Sequence, residues 1–209
     1  MTFLDREEAG RRLGEALTPL KEEDAVVLGI PRGGVAVGRE VARSIGAPLD
    51  VVIPRKIRAP RNPELALGAV APGVRVLDER LISALGVSED YLMEEIAEQE
   101  REIERRTEAY RQGRPGVPLA GRVAVVVDDG VATGSTAIAA ARWTKAQGVS
   151  RSILAFPVAP ADTLRRLERE ADEVVVLETP EPFYAVGQWY ERFPQLEDEE
   201  VVAMLADAR

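Results

Sequence analysis

The chain has 209 residues, 45% hydrophobic and 30% charged, which is globular composition and enough length to bury one domain core. Acidic residues outnumber basic ones 36 to 27, a net charge of −9, which argues against broad binding to nucleic-acid backbone or to an anionic membrane. The absence of Cys and His removes disulfides, thiolate catalysis, Cys-based zinc sites and the usual general base. Any metal would then be a hard cation on oxygen ligands, such as Mg²⁺. No apolar run reaches membrane-spanning length and no signal peptide is visible, so a cytoplasmic location is expected.

Residues 5–17 read as an amphipathic helix with Ala9, Leu13, Ala16 and Leu17 on one face. Ala25 to Ile30 read as a buried strand, followed by the turn Pro31-Arg32-Gly33-Gly34 and a helix from Val35 to about Ile45. Leu49 to Pro54 read as a second strand, ending at Arg55-Lys56. Residues 55–67, charged and carrying Pro60 and Pro63, read as a loop. Ala69 to Leu77 read as two short strands joined at Pro72-Gly73. Ser88 to about Gln112 form a long charged helix, with Leu92, Ile96, Ile103 and Tyr110 at helical spacing. Its expected place is a sheet-edge flank or a dimer contact, and no chemistry is assigned to it.

Val123 to Val127 read as a buried parallel strand, followed by a turn and an alanine-rich helix over 135–147. Strand 152–158, helix 161–170 and strand 173–177 follow. The tail carries Phe183, Tyr184, Trp189, Tyr190 and Phe193, most of them read as packing, and then a short acidic helix. This alternation predicts one α/β domain over 1–209, a doubly wound, mainly parallel sheet flanked by helices. Ligands in such sheets sit beyond the C-terminal strand ends, which puts the turns at 31–34 and 128–136 on one rim.

The most informative stretch is Val123-Ala-Val-Val-Val-Asp-Asp-Gly-Val-Ala-Thr-Gly-Ser-Thr136. Asp128 and Asp129 stand where the strand stops. An ionised carboxylate only accepts hydrogen bonds, which suits hydroxyl groups. Gly130, Val131, Ala132, Thr133, Gly134, Ser135 and Thr136 then form a small-residue turn that opens a helix. Such a turn aims backbone N–H groups, hydroxyls and a positive helix end at one point, which suits a phosphate. Phosphate beside a diol describes a ribose 5-phosphate. The segment is neither a Walker loop nor a dinucleotide fingerprint, since it lacks both glycine spacings.

Positions 123–136 resemble the signature of type I phosphoribosyltransferases, which use phosphoribosyl diphosphate (PRPP). The resemblance implies that Asp128 and Asp129 hold the ribose hydroxyls and that Ala132 to Thr136 wrap the 5′-phosphate. Arg32-Gly33-Gly34 resembles the family's diphosphate-binding turn, where a cis peptide often occurs. Arg55 and Lys56 look like the pair that neutralises the leaving diphosphate. By the same resemblance, residues of about 55–68 form a mobile loop with Glu64 assisting catalysis. Glu181 stands near Mg²⁺, and a small hood comes from the N-terminal segment and residues 179–209. Ala132 stands where 6-oxopurine enzymes carry Asp, which argues against hypoxanthine or guanine as acceptor. The implied function is Mg²⁺-dependent transfer of phosphoribose from PRPP to a nucleobase-like acceptor, of the nucleotide-salvage type. Dimers are common in the family, which makes a homodimer an expected assembly. The alternative is a PRPP-sensing regulatory protein with little transferase activity.

Overall fold

The computed structural model describes residues 2–208, with the side chain of Glu64 outside that description. Five parallel strands make the main sheet: β1 (Ala25–Gly29), β2 (Leu49–Val51), β6 (Val123–Val127), β7 (Arg151–Val158) and β8 (Glu173–Glu178), in the order β2-β1-β6-β7-β8. All five residues of β1 and of β6 are buried, which explains why these strands read as unbroken apolar runs. Alternate side chains go to opposite faces. Val123, Val125 and Val127 join a core under α2 (Gly33–Ile45), α4 (Glu89–Arg111) and α7 (Asp198–Asp207). Ala124 and Val126 join a second core under α5 (Ser135–Ala146) and α6 (Ala161–Leu167).

The connection through α2 carries the chain outward from β1 to β2, whereas those through α5 and α6 carry it the other way, from β6 to β7 to β8. The strand order therefore reverses between β1 and β6, which pair in parallel from Ala25↔Val123 to Gly29↔Val127. A crevice opens where connections diverge to opposite faces, and ligands of such sheets bind there.

The region expected to be a loop at 55–67 is instead an antiparallel hairpin, β3 (Arg55–Ala59) with β4 (Asn62–Ala71), extended by β5 (Val74–Leu77). Its apolar half, Ile57, Ala59 and Leu67, is buried with Ile96 and Ile103 of α4. One of the charges that suggested a loop, Arg58, is paired from outside. Glu95 accepts from the Arg58 backbone N–H and from its Nε at 2.9 Å, and Glu98 pairs with Arg58 Nη2. Pro60 and Arg61 form the hairpin tip, where a strand-breaking residue does no harm. A short helix absent from the sequence reading, α3 (Glu79–Ala84), follows and is capped by the Asp78 carboxylate accepting from Leu81 N–H.

The long helix matches its expected span, capped by Ser88 at its start and by left-handed Gln112 at its end. It also ties the sheet edge by a buried carboxylate. Asp50 of β2 is 1% exposed and accepts from Arg111 Nε and Nη2 and from the backbone N–H of Val117. Asp50→Ala is expected to lower the unfolding free energy by about 2 kcal/mol, because the guanidinium and the amide lose their acceptor while Arg111 still reaches solvent. Urea denaturation checks this, and a loss below about 0.5 kcal/mol would contradict it.

Candidate functional site

Two turns frame the crevice between β1 and β6. After β1 the chain passes a cis Pro31–Arg32 peptide, at the turn where the resemblance allowed for one, and enters α2 directly at Gly33. Gly34 has no room for a side chain: a Cβ there would lie 2.8 Å from Asp128 Cα and 3.0 Å from Asp128 Oδ1. The Gly-Gly pair thus lets the start of α2 touch the end of β6. Arg32 reaches toward the C-terminal helix, with Nη1 3.6 Å from Asp198 Oδ1.

After β6, Asp128 Oδ1 accepts from the Asp129 backbone N–H at 2.9 Å. Gly134 is left-handed, with φ of 81°, and occupies the N-cap of α5. It has no side chain to close the first amides of that helix. The turn is braced from behind: Val131 N–H donates to Val158 O, Thr163 Oγ1 to Ala132 O at 2.6 Å, and Arg166 Nη1 to Thr133 O at 3.1 Å. Thr133 is exposed, and Ser135 and Thr136 are half-buried.

The turn stands between two openings. One, of about 450 Å³, is lined by Arg6, Arg32, Gly33, Asp128 and Asp129 and by the tail from Phe193 to Leu196. The other, of about 560 Å³, is lined by Lys56, Thr133, Ser135 and Arg166, and by β4, β5 and α3. The expected residues Asp128, Asp129, Arg32 and Gly33 thus meet in one opening, and Lys56, Thr133 and Ser135 in the next. The adjacent cations Arg55 and Lys56 do not converge, because neighbouring residues of a strand point to opposite faces. Lys56 is exposed toward the second opening, whereas Arg55 Nε donates to Gln99 Oε1 of α4 at 3.0 Å. Burial and the nearby Arg106 lower the Arg55 pKa. Glu64 lies in β4, and its side chain is outside the described residues. Glu181 is exposed and lines a separate opening of about 280 Å³ with Asp162, beside its own cis bond to Pro182.

Sequence reading missed Arg6 and Arg166. Arg6, the first residue of α1 (Arg6–Ala16), is 9% exposed, and its Nε donates to Asp129 Oδ2 at 2.7 Å. Nothing in a helical periodicity separates it from a surface arginine. Arg166 sits in a basic last helical turn, which is a common and uninformative setting. The N-terminal segment and the C-terminal tail are in contact. Phe3 N–H donates to Trp189 O and Glu191 N–H to Phe3 O, and Phe3, Phe183, Trp189, Tyr190 and Phe193 pack together. Tyr184 stands out, 82% exposed.

The electrostatics of the acid pair are costly. Burial, reinforced by the adjacent Asp129 charge, holds the Asp128 carboxyl well above the usual range. Burial raises Asp129 as well, against the opposing pull of Arg6. Tyr190, whose OH donates to the Asp129 carbonyl, is pushed up by burial and then by Asp129.

A family model described as a phosphoribosyl transferase domain matches residues 7–191, and the chain belongs to that family. The crystal structure of TT1426 from Thermus thermophilus is 46% identical, with a TM-score of 0.84 over 100% of this chain and 99% of that one. Two Mycobacterium tuberculosis proteins, from strains CDC 1551 and H37Rv, each named "Putative phosphoribosyl transferase", are 48% identical over 206 residues. That alignment takes in 97% of this chain and 46% of theirs, so the chain spans about half the length of these relatives.

A carboxyl whose pKa rises on folding holds its proton better folded than unfolded. Its contribution to stability therefore falls as pH climbs from the ordinary carboxylate value toward the raised one. Asp128→Asn keeps the oxygen that accepts from Asp129 N–H and removes the charge. It is expected to raise Tm at pH 7 by about 3 °C, with the gain shrinking toward pH 4. Thermal melts across that range check it, and a lower Tm at pH 7 would contradict it.

Proposed function

We propose that this protein transfers phosphoribose from PRPP to a nitrogenous, nucleobase-like acceptor and releases diphosphate. The observation that carries the reading is that the Asp128–Asp129 pair and the Arg32–Gly33 turn line one opening at the strand-order reversal, and the start of the Gly134-capped helix lines the next. Family membership supports the reaction class. In this reading Asp128 and Asp129 accept hydrogen bonds from the ribose hydroxyls. The amides at the start of α5 and the hydroxyls of Thr133, Ser135 and Thr136 hold the 5′-phosphate. Arg32 and the glycine turn receive the diphosphate, with Lys56 across the neighbouring opening.

The C1′–O bond to diphosphate breaks, with its electron pair leaving on the diphosphate, and an acceptor nitrogen supplies the pair for the new C1′–N bond. The transition state has oxocarbenium character, as in glycoside hydrolysis. The protein's task is positioning and charge neutralisation, for which neither His nor Cys is needed. Arg55 would join the task by leaving Gln99, a local change at the hairpin base.

Magnesium belongs to this proposal as the diphosphate's counter-ion. Among the described residues no three acidic side chains gather into a metal cage, and Glu181 opens on another cavity. Mg²⁺ is commonly held by one or two carboxylates plus substrate phosphates, and when bound it would neutralise leaving-group charge. No step here is drawn through it.

Diphosphate release from PRPP with Mg²⁺, screened over adenine, hypoxanthine, guanine, xanthine, uracil and orotate, tests the proposal. Release that depends on one base is the expected result, and Asp129→Asn is expected to lower its kcat/KM by at least about a hundredfold. PRPP binding without release for any base would favour the sensing alternative. Unchanged kcat/KM in Asp129→Asn would contradict the site.

A further inference from the structure

Arg6 makes three contacts, one with the acid pair and two with the C-terminal tail. Its Nε donates to Asp129 Oδ2 and its Nη1 to Pro194 O, both at 2.7 Å, and its guanidinium lies 3.8 Å from the Phe193 ring centroid. The stacking fixes the guanidinium plane, and the two donors fix its direction. Asp129 is thus held at one carboxylate oxygen by α1, and at its backbone carbonyl by Tyr190 of the tail. Arg6, Phe193 and Pro194 lie outside residues 7–191, so the family match does not describe this clamp. A purely structural arginine would tie α1 to the tail. This one places its Nε beside Gly33 and Asp129, between the two turns of the crevice.

We propose that Arg6 is a positioning residue for ribose recognition, which fixes Oδ2 of Asp129 so that the other oxygen is presented to a ligand hydroxyl. The inference rests on the PRPP reading of the site. It makes hydroxyl recognition depend on the residue that holds the carboxylate as well as on the carboxylate itself. An ammonium group has no fork and does not span both acceptors as the guanidinium does, so Arg6→Lys keeps the charge and loses part of the geometry.

Calorimetric titration of PRPP, ribose 5-phosphate and inorganic diphosphate into wild type, Arg6→Lys and Arg6→Met separates this role from general support. Arg6→Met is expected to weaken both ribose-containing ligands by at least about tenfold, within the range of one charge-assisted hydrogen bond. Arg6→Lys should weaken them less, and diphosphate should bind all three proteins equally. If Arg6→Met fails to fold, the selective loss in Arg6→Lys carries the test. Unchanged ribose 5-phosphate binding in the variants, or a parallel loss of diphosphate, would overturn the inference while leaving the PRPP reading standing. Failure of the wild type to bind PRPP would overturn that reading and this inference together.

Discussion

Two half-buried carboxylates side by side at the end of a central strand are the constraint around which this molecule is arranged. Burial raises the protonation of both, and the Asp129 charge raises that of Asp128 further, which opposes folding at neutral pH. The protein offsets part of that cost with the Asp129 backbone N–H turned onto Asp128 and with the Arg6 guanidinium on Asp129. What remains is consistent with a site whose missing partners are supplied by a ligand. Hydroxyl donors arriving at both carboxylates would satisfy them.

The rest of the fold serves that place. Strands β1 and β6 are the neighbours from which the sheet is wound in opposite directions, so the loops after them face each other with no strand between. Glycines at 33 and 34 let the start of α2 press on the Asp128 backbone. The N-terminal helix and C-terminal tail, far apart in sequence, are joined through Phe3, Trp189 and Glu191, and both anchor on Asp129. Further out, α4 grips the hairpin through Glu95 and Gln99, which places Lys56 and Arg55 on opposite faces of β3.

What was legible in the sequence was local. The five apolar residues before Asp128, the Ala-Thr-Gly-Ser-Thr turn and the alternation of strands and helices each depend on neighbours within a dozen positions. They led to the parallel sheet and to the acid pair with the small-residue turn after it. Most of what the sequence hid involves partners distant in sequence. Residues 55–67 looked like a loop because their charges were counted as solvated, whereas Glu95 and Glu98 of α4 neutralise Arg58. Arg55 and Lys56 were grouped by adjacency, although a strand separates adjacent side chains. The alternation of Arg55, Ile57 and Ala59 held that signal, masked by the prolines. Arg6 meets Asp129 across 123 positions of sequence, and no pattern within α1 announces it. Glu95 and Gln99 sit on a helix that is charged overall, so their burial could not be read from composition.

The proposed role of Asp128 and Asp129 is to recognise ribose hydroxyls. Comparing the affinities of ribose 5-phosphate and 2-deoxyribose 5-phosphate by calorimetry isolates one such hydroxyl with phosphate and ring held common. The account predicts that the deoxy sugar binds at least about tenfold more weakly, since a buried carboxylate loses its donor. Equal affinity for the two sugars would contradict it.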